Sequence, residues 1–291
     1  MSDAPPFLSQ HPKSGPPPHK LELAKEKREL HRFVKQMRMR ASAMVPPGPN
    51  QVVVTDGMGK QKVYNSITEA MNSITDASES NQYTVTIGTG TFNEQVALKS
   101  WVNMLGSGAG QTIINSNVPA VKAAPNSAIQ MCTIQAIGRP GDALIIAVSV
   151  LSSPKFMLSD CTVVANDAQR GPDGNLFALV VDWPDGSGSH STCFVTDCKL
   201  QPTAINGAGN ATAAVVAGGS LLQIETSTLA PTGPAYGVGG ASDNKADFEL
   251  GWCTVSGSGY ALWCDSSGAT CVATDCTING AVSPNVKIIH E

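Results

Sequence analysis

The fold class this sequence predicts is all-β: a right-handed parallel β-helix, with an N-terminal capping helix and an amphipathic helical arm ahead of it. The first observation is a repeated kernel. Thr270–Ile278 (TCVATDCTI) recurs as Thr192–Leu200 (TCFVTDCKL), with looser copies at Lys155–Val163, Ser220–Leu229, Asp247–Val255 and Ala128–Ile134. The second is what aligning the copies reveals. One column reads Cys132, Cys161, Cys198, Ser227, Cys253, Cys276, with a Thr-rich column after it and then Ile134, Val163, Leu200, Leu229, Val255, Ile278. Strand kernels recurring every 20–50 residues with loops of varying length mark a solenoid. The third is composition: 28 glycines and only 14% charged residues suit tight turns and short polar side chains.

The kernel can be read physically. In Cys-Thr-Ile the first and third residues share one face of a strand and the Thr takes the other. The alternation slips at Ser159-Asp160, Thr196-Asp197 and Thr274-Asp275, where short side chains bond their own backbone and bend the chain between two strands. The identical columns then fill the interior, and the cysteines are expected to be small, buried, unbridged residues.

Taken in order, residues 1–19 are rich in Pro and polar residues, a composition that leaves a tail disordered. Residues 20–45 form the arm: Leu23, Leu30, Met37 and Met44 are spaced by seven, with Val34 and Ala41 between them, which predicts a helical stripe. Residues 1–45 hold 9 Lys/Arg against 4 Asp/Glu, a net +5, and the rest hold 10 against 19, a net −9, together the −4 of the whole chain. Such an arm is expected to dock on an acidic body, its own or that of a neighbour, and so to permit self-association through residues 20–44. Residues 46–291 are expected to be the β-helix. After the Pro-rich linker at Val45–Pro49, Tyr64–Asp76 predicts a helix with Ile67, Ala70, Met71 and Ile74 on one face and Ser66 as N-cap. Strand segments broken by glycines follow as far as Asn117.

Several functions find no support here. No basic-then-apolar leader opens the chain, and no 18-residue apolar run crosses a membrane; with reduced thiols this points to a cytoplasmic or otherwise intracellular setting. The arm lacks the interleaved aromatics and base-reading motifs of a nucleic-acid binder. Cysteine spacing supplies no metal constellation, and no motif calls for a cofactor. The Thr column, interrupted by Lys199, reads as ordinary β-branched strand surface.

The passage from QVVVTDGMG through the helix to GTFNEQV and LGSGAGQTII resembles the entry into the pectin methylesterase fold, a pectin-lyase-like right-handed β-helix, over about 65 residues. The resemblance implies a substrate groove on a further strand of each coil: Asp142–Ala147, Phe177–Val181, Ala213–Ala217, Tyr236–Gly240 and Tyr260–Cys264. It also implies two groove carboxylates and an arginine. In their places stand Phe177 and Ala213, with Asp142 where the family has a glutamine, and no arginine strand is found. The catalytic motifs are degenerate.

The remaining carboxylate candidates are Asp142, Asp182 and Asp265, the last two each ending a groove strand; each can equally be a turn residue. Phe177, Tyr236 and Tyr260, with Trp183 nearby, would form an aromatic ledge for a polysaccharide or oligosaccharide if the column Asp142, Phe177, Ala213, Tyr236, Tyr260 faces outward. Three function classes stand open: a catalytically degenerate β-helix that binds carbohydrate or serves as scaffold, a divergent carbohydrate esterase or other enzyme using new groove residues, and an assembly component joined through its arm.

Overall fold

The computed structural model describes residues 32, 47–117, 119–139, 142–153, 155–167, 175–182, 190–205, 210–233, 237–243, 245–265 and 268–290. The chain divides into two units, Met1–Val45 and Pro46–Glu291. Of the first, only Arg32 is described, an exposed helical residue. The expected tail over 1–19, and the arm over 20–45 apart from that residue, lie outside the described residues.

The second unit is a right-handed parallel β-helix with three faces. First-face strands begin at Tyr83, Val102, Ala128, Phe156, Thr192, Leu221, Asp247, Thr270 and Val286, each pairing in parallel with the next. Second-face strands begin at Gly90, Thr112, Thr133, Thr162, Lys199, Thr228, Thr254 and Thr277. The third face runs through Leu144–Val150, Asn175–Val181, Ala211–Val216, Gly237–Ser242 and the end of Thr254–Cys264. That long strand passes through both faces and joins them into one sheet.

Period-2 alternation turned through three corners puts the apolar columns inside. On the first face Met104, Ile129, Leu158, Val195, Ile224, Leu250 and Ala273 are in register. On the second, Ile134, Val163, Leu200, Leu229, Val255 and Ile278 are in register as the sequence columns predict. Phe156 and Phe248 are fully buried, and removing such a side chain from water contributes roughly 2–3 kcal/mol.

The start of the solenoid is closed. Val52–Thr55 pairs antiparallel with both Gln61–Tyr64 and Tyr83–Ile87. Helix α1 (Ile67–Ser73) packs against this end, with Ile67, Ala70 and Met71 buried. Ser66 is the N-cap, its hydroxyl accepting from the Glu69 N–H. The helix is shorter than the predicted Tyr64–Asp76, because Tyr64 belongs to a strand and Ile74 is already extended. A second anchor comes from the GTFNEQV passage: the Glu94 carboxylate accepts from the Ser66 hydroxyl (2.9 Å), the Ile67 N–H (2.9 Å) and the Thr68 N–H (2.8 Å). Burial pushes this carboxyl up, but the donors from Thr68, Ile67 and Ser66 outweigh it and hold it below its ordinary value.

The cysteine corner, between the first and second faces, needs the largest revision. The bend is where Ser/Thr-Asp predicts it, at Asp160, Asp197 and Asp275, and it recurs without that pair at Met131, Thr226 and Trp252; all six take left-handed φ values of 48 to 56°. Asp tolerates that region better than most residues. The next residue in each coil is the Cys/Ser column, and all eight cysteines are free thiols. They are not merely small apolar fillers. The Cys161 N–H donates to Cys198 Sγ (3.4 Å), the Cys198 N–H to Ser227 Oγ (3.0 Å) and the Cys253 N–H to Cys276 Sγ (3.4 Å). Each of these Sγ or Oγ atoms also donates to the carbonyl two residues earlier, at 3.2 Å for Cys198, 2.7 Å for Ser227 and 3.3 Å for Cys276. A buried amide that the turn removes from the β-ladder thus finds its acceptor on the coil above. This explains why a serine substitutes at position 227.

Candidate functional site

The third face is where the sequence places a groove, and its register decides what a ligand would meet. One outward row is Ile146–Phe177–Thr212–Val238–Tyr260 and the other is Ser149–Val180–Val215–Ala241–Trp263. Neither row contains a carboxylate. The column expected from sequence alone differs: Ala213 is fully buried among the interior residues and Thr212 takes the outward place. Asp142 precedes the strand Leu144–Val150 altogether. The expectation failed because this strand has no repeated kernel by which to set its register.

Between the rows the face is apolar and closed. Ile146, Phe177, Val180, Val215 and Ala241 form a second hydrophobic cluster outside the main core, flanked by half-buried Leu144, Val238 and Trp263. Phe177 is 6% exposed, so it packs in this cluster and is no open stacking platform. Tyr260 is half-buried at the far end of its row. Trp183 and Tyr236 lie outside the described residues. Trp263, which sequence reasoning missed, shares the outer face with Tyr260; the signal was their spacing in YALWC, which bends so that both point outward.

The three candidate carboxylates are not brought together. Asp142 closes a turn, accepting from the Arg139 N–H at 2.6 Å. Asp182 is a corner residue with φ 49°, only 3% exposed. One of its oxygens accepts from the Ser152 N–H (2.9 Å), the other from the Ser191 N–H (3.1 Å) and the Ser220 hydroxyl (2.6 Å). Serines from three successive coils thus tie this corner to one carboxylate, an arrangement of anchoring with both oxygens occupied. Nearby His190 is exposed and bonds the Gly219 carbonyl through Nδ1 at 2.9 Å.

Asp182 and Asp265 do stand in one column, as the strand-end pattern suggests. The N–H groups of Asp182, Ala217, Asp243 and Asp265 donate to Val150, Val181, Val216 and Ser242 in turn. They are three coils apart, roughly 14 Å at the spacing of neighbouring strands, too far to share a proton. Asp243, on the coil next to Asp265, was not singled out from sequence; it lies at the corner and off the face. The threonine column is in register through Thr133, Thr162, Lys199, Thr228, Thr254 and Thr277 on the second face, half-buried or exposed as strand surface should be. Among the described residues no three His, Cys, Asp or Glu side chains gather as metal ligands, and no helix is long and apolar enough to cross a membrane.

No family model matches the sequence, and no curated protein matches it. Solved structures of similar architecture do. The pectin methylesterase from carrot is 13% identical, covering 80% of this chain and 86% of that one at a TM-score of 0.49. The pectin methylesterase from Yersinia enterocolitica is 12% identical, covering 78% and 94%, also at 0.49. A tailspike protein of Acinetobacter baumannii bacteriophage Fri1, a capsular polysaccharide depolymerase, is 9% identical, covering 72% and 52%, at 0.36.

Proposed function

We propose that this chain is a catalytically degenerate β-helix, a binding or scaffold protein without ester-hydrolase chemistry, whose ligand, where it takes one, is a polysaccharide or oligosaccharide. The observation that carries the reading is the pair of outward third-face rows, which place apolar and hydroxyl side chains where an esterase needs acid and base. Hydrolysis without a metal requires a nucleophile or activated water, a proton relay and donors for the developing oxyanion. Asp182 has both oxygens engaged in a corner, Asp142 caps a turn, and neither faces a partner acid on the face. Sugar contact falls to the half-buried Tyr260 and Trp263, which offer flat apolar rings with a polar edge.

Titrating the full chain with neutral and uronic oligosaccharides by calorimetry tests this. Binding that weakens about tenfold or more in Tyr260→Ala or Trp263→Ala supports the carbohydrate arm of the proposal. No binding to any glycan leaves the scaffold role alone, and turnover of a bound ester overturns both.

A further inference from the structure

We infer that Cys276 is a thiol-modification site and that Cys253, stacked on the preceding coil, is its resolving partner, so that a peroxide can staple these two coils together. The corner column is a row of thiols, but its members differ in access. Cys132 is 0% exposed, Cys161 2%, Cys198 4% and Cys253 2%, whereas Cys276 alone of the eight cysteines is only half-buried. Among the described residues the strand after it, Thr277–Val282, pairs with Thr254–Cys264 on one side.

The two residues are neighbours in the column. Thr254 and Thr277 are register partners, which sets Cys253 and Cys276 one coil apart, roughly 4.8 Å between backbones and inside the Cα range that a disulfide spans. The Cys253 N–H already points at Cys276 Sγ (3.4 Å). The side-chain hydrogen bond between the two thiols holds Cys276 below its ordinary value, and the same side-chain contact, followed by burial, pushes Cys253 up. Attack on an oxidant therefore begins at the accessible, more acidic thiol. The Cys276 thiolate takes one peroxide oxygen, forming S–O as O–O breaks and releasing hydroxide. The product is a sulfenic acid. Cys253 Sγ then attacks that sulfur. The S–S bond forms, S–O breaks, and the hydroxyl leaves with the Cys253 proton as water. Two thiols lose two electrons and the peroxide gains them.

The test treats the full-length protein with hydrogen peroxide under native conditions, blocks remaining thiols with an alkylating agent after denaturation, and maps the products by peptide mass spectrometry. The expected result is a disulfide between the Cys253 and Cys276 peptides, with the other six thiols recovered alkylated. Cys253→Ser should leave a sulfenic acid at Cys276 that dimedone traps, and Cys276→Ser should abolish the reaction. Serine already occupies this column at Ser227, and a melting curve confirms that each variant folds. A lasting sulfenic acid on the unaltered protein, over-oxidation to sulfinic acid, or equal oxidation at Cys132 and Cys161 would each overturn the proposal.

Discussion

Two stacked rows of this molecule, built from the same coils, obey opposite rules. In the cysteine corner the coils repeat one geometry, a left-handed residue and then a thiol or hydroxyl, and at Cys198, Ser227 and Cys276 that group accepts the amide of the coil before it. On the third face the coils share a register but not a residue type, so Ile146, Phe177, Thr212, Val238 and Tyr260 stand in line as a mixture of aliphatic, aromatic and hydroxyl side chains. A corner has to satisfy a backbone group that the turn has orphaned, and few side chains do that. A strand face has to cover area, and many side chains do. The difference teaches that the corner is held by a structural requirement, while the face is free to vary its side chains.

The sharpest way to break the comparison is a charge in the corner. Cys198→Asp buries an unpaired carboxylate where a neutral acceptor is required, and should cost on the order of 4 kcal/mol or prevent folding; chemical denaturation measures it. If the variant is as stable as the parent, the corner is not the rigid element described. Neutral substitutions sharpen the point. Cys198→Ser keeps an acceptor for the Cys161 amide and should change stability by less than about 1 kcal/mol, whereas Cys198→Ala orphans that amide at about 1–3 kcal/mol. Equal losses for the two variants would return the cysteines to the role of simple filler.

A smaller effect concerns the cap on which both rows begin. The Glu94 carboxyl is held below its unfolded value, so its contribution is fully present above the unfolded value, near 4.3, and is lost as pH falls through the folded one. Half-exposure limits its worth to about 1 kcal/mol or less. Glu94→Gln should therefore lower the melting temperature at pH 7 and lose that difference below about pH 4. A deficit that persists undiminished in acid would show that Glu94 acts by packing and not by charge.

This contrast also governs what could be read in advance. The cysteine and apolar columns, the bend at Ser/Thr-Asp and the Ser66 cap were legible because each repeats a local rule. Thr212 against Ala213 was not, because loops of differing length separate third-face strands that lack a kernel. Nor was the hydrogen bonding of the thiols, since one sequence column says what stacks but not which amide has lost its partner. Glu94 sits 25 residues or more beyond the helix start it holds, a contact that no local pattern encodes.

The central proposal is that the described residues of the third face supply no acid–base pair, and methanol release from a methyl-esterified uronan tests it most directly. The account predicts no release above the uncatalysed background for the full-length protein, unchanged in Asp142→Ala, Asp182→Ala and Asp265→Ala. Clear turnover that any one of these substitutions abolishes would contradict it.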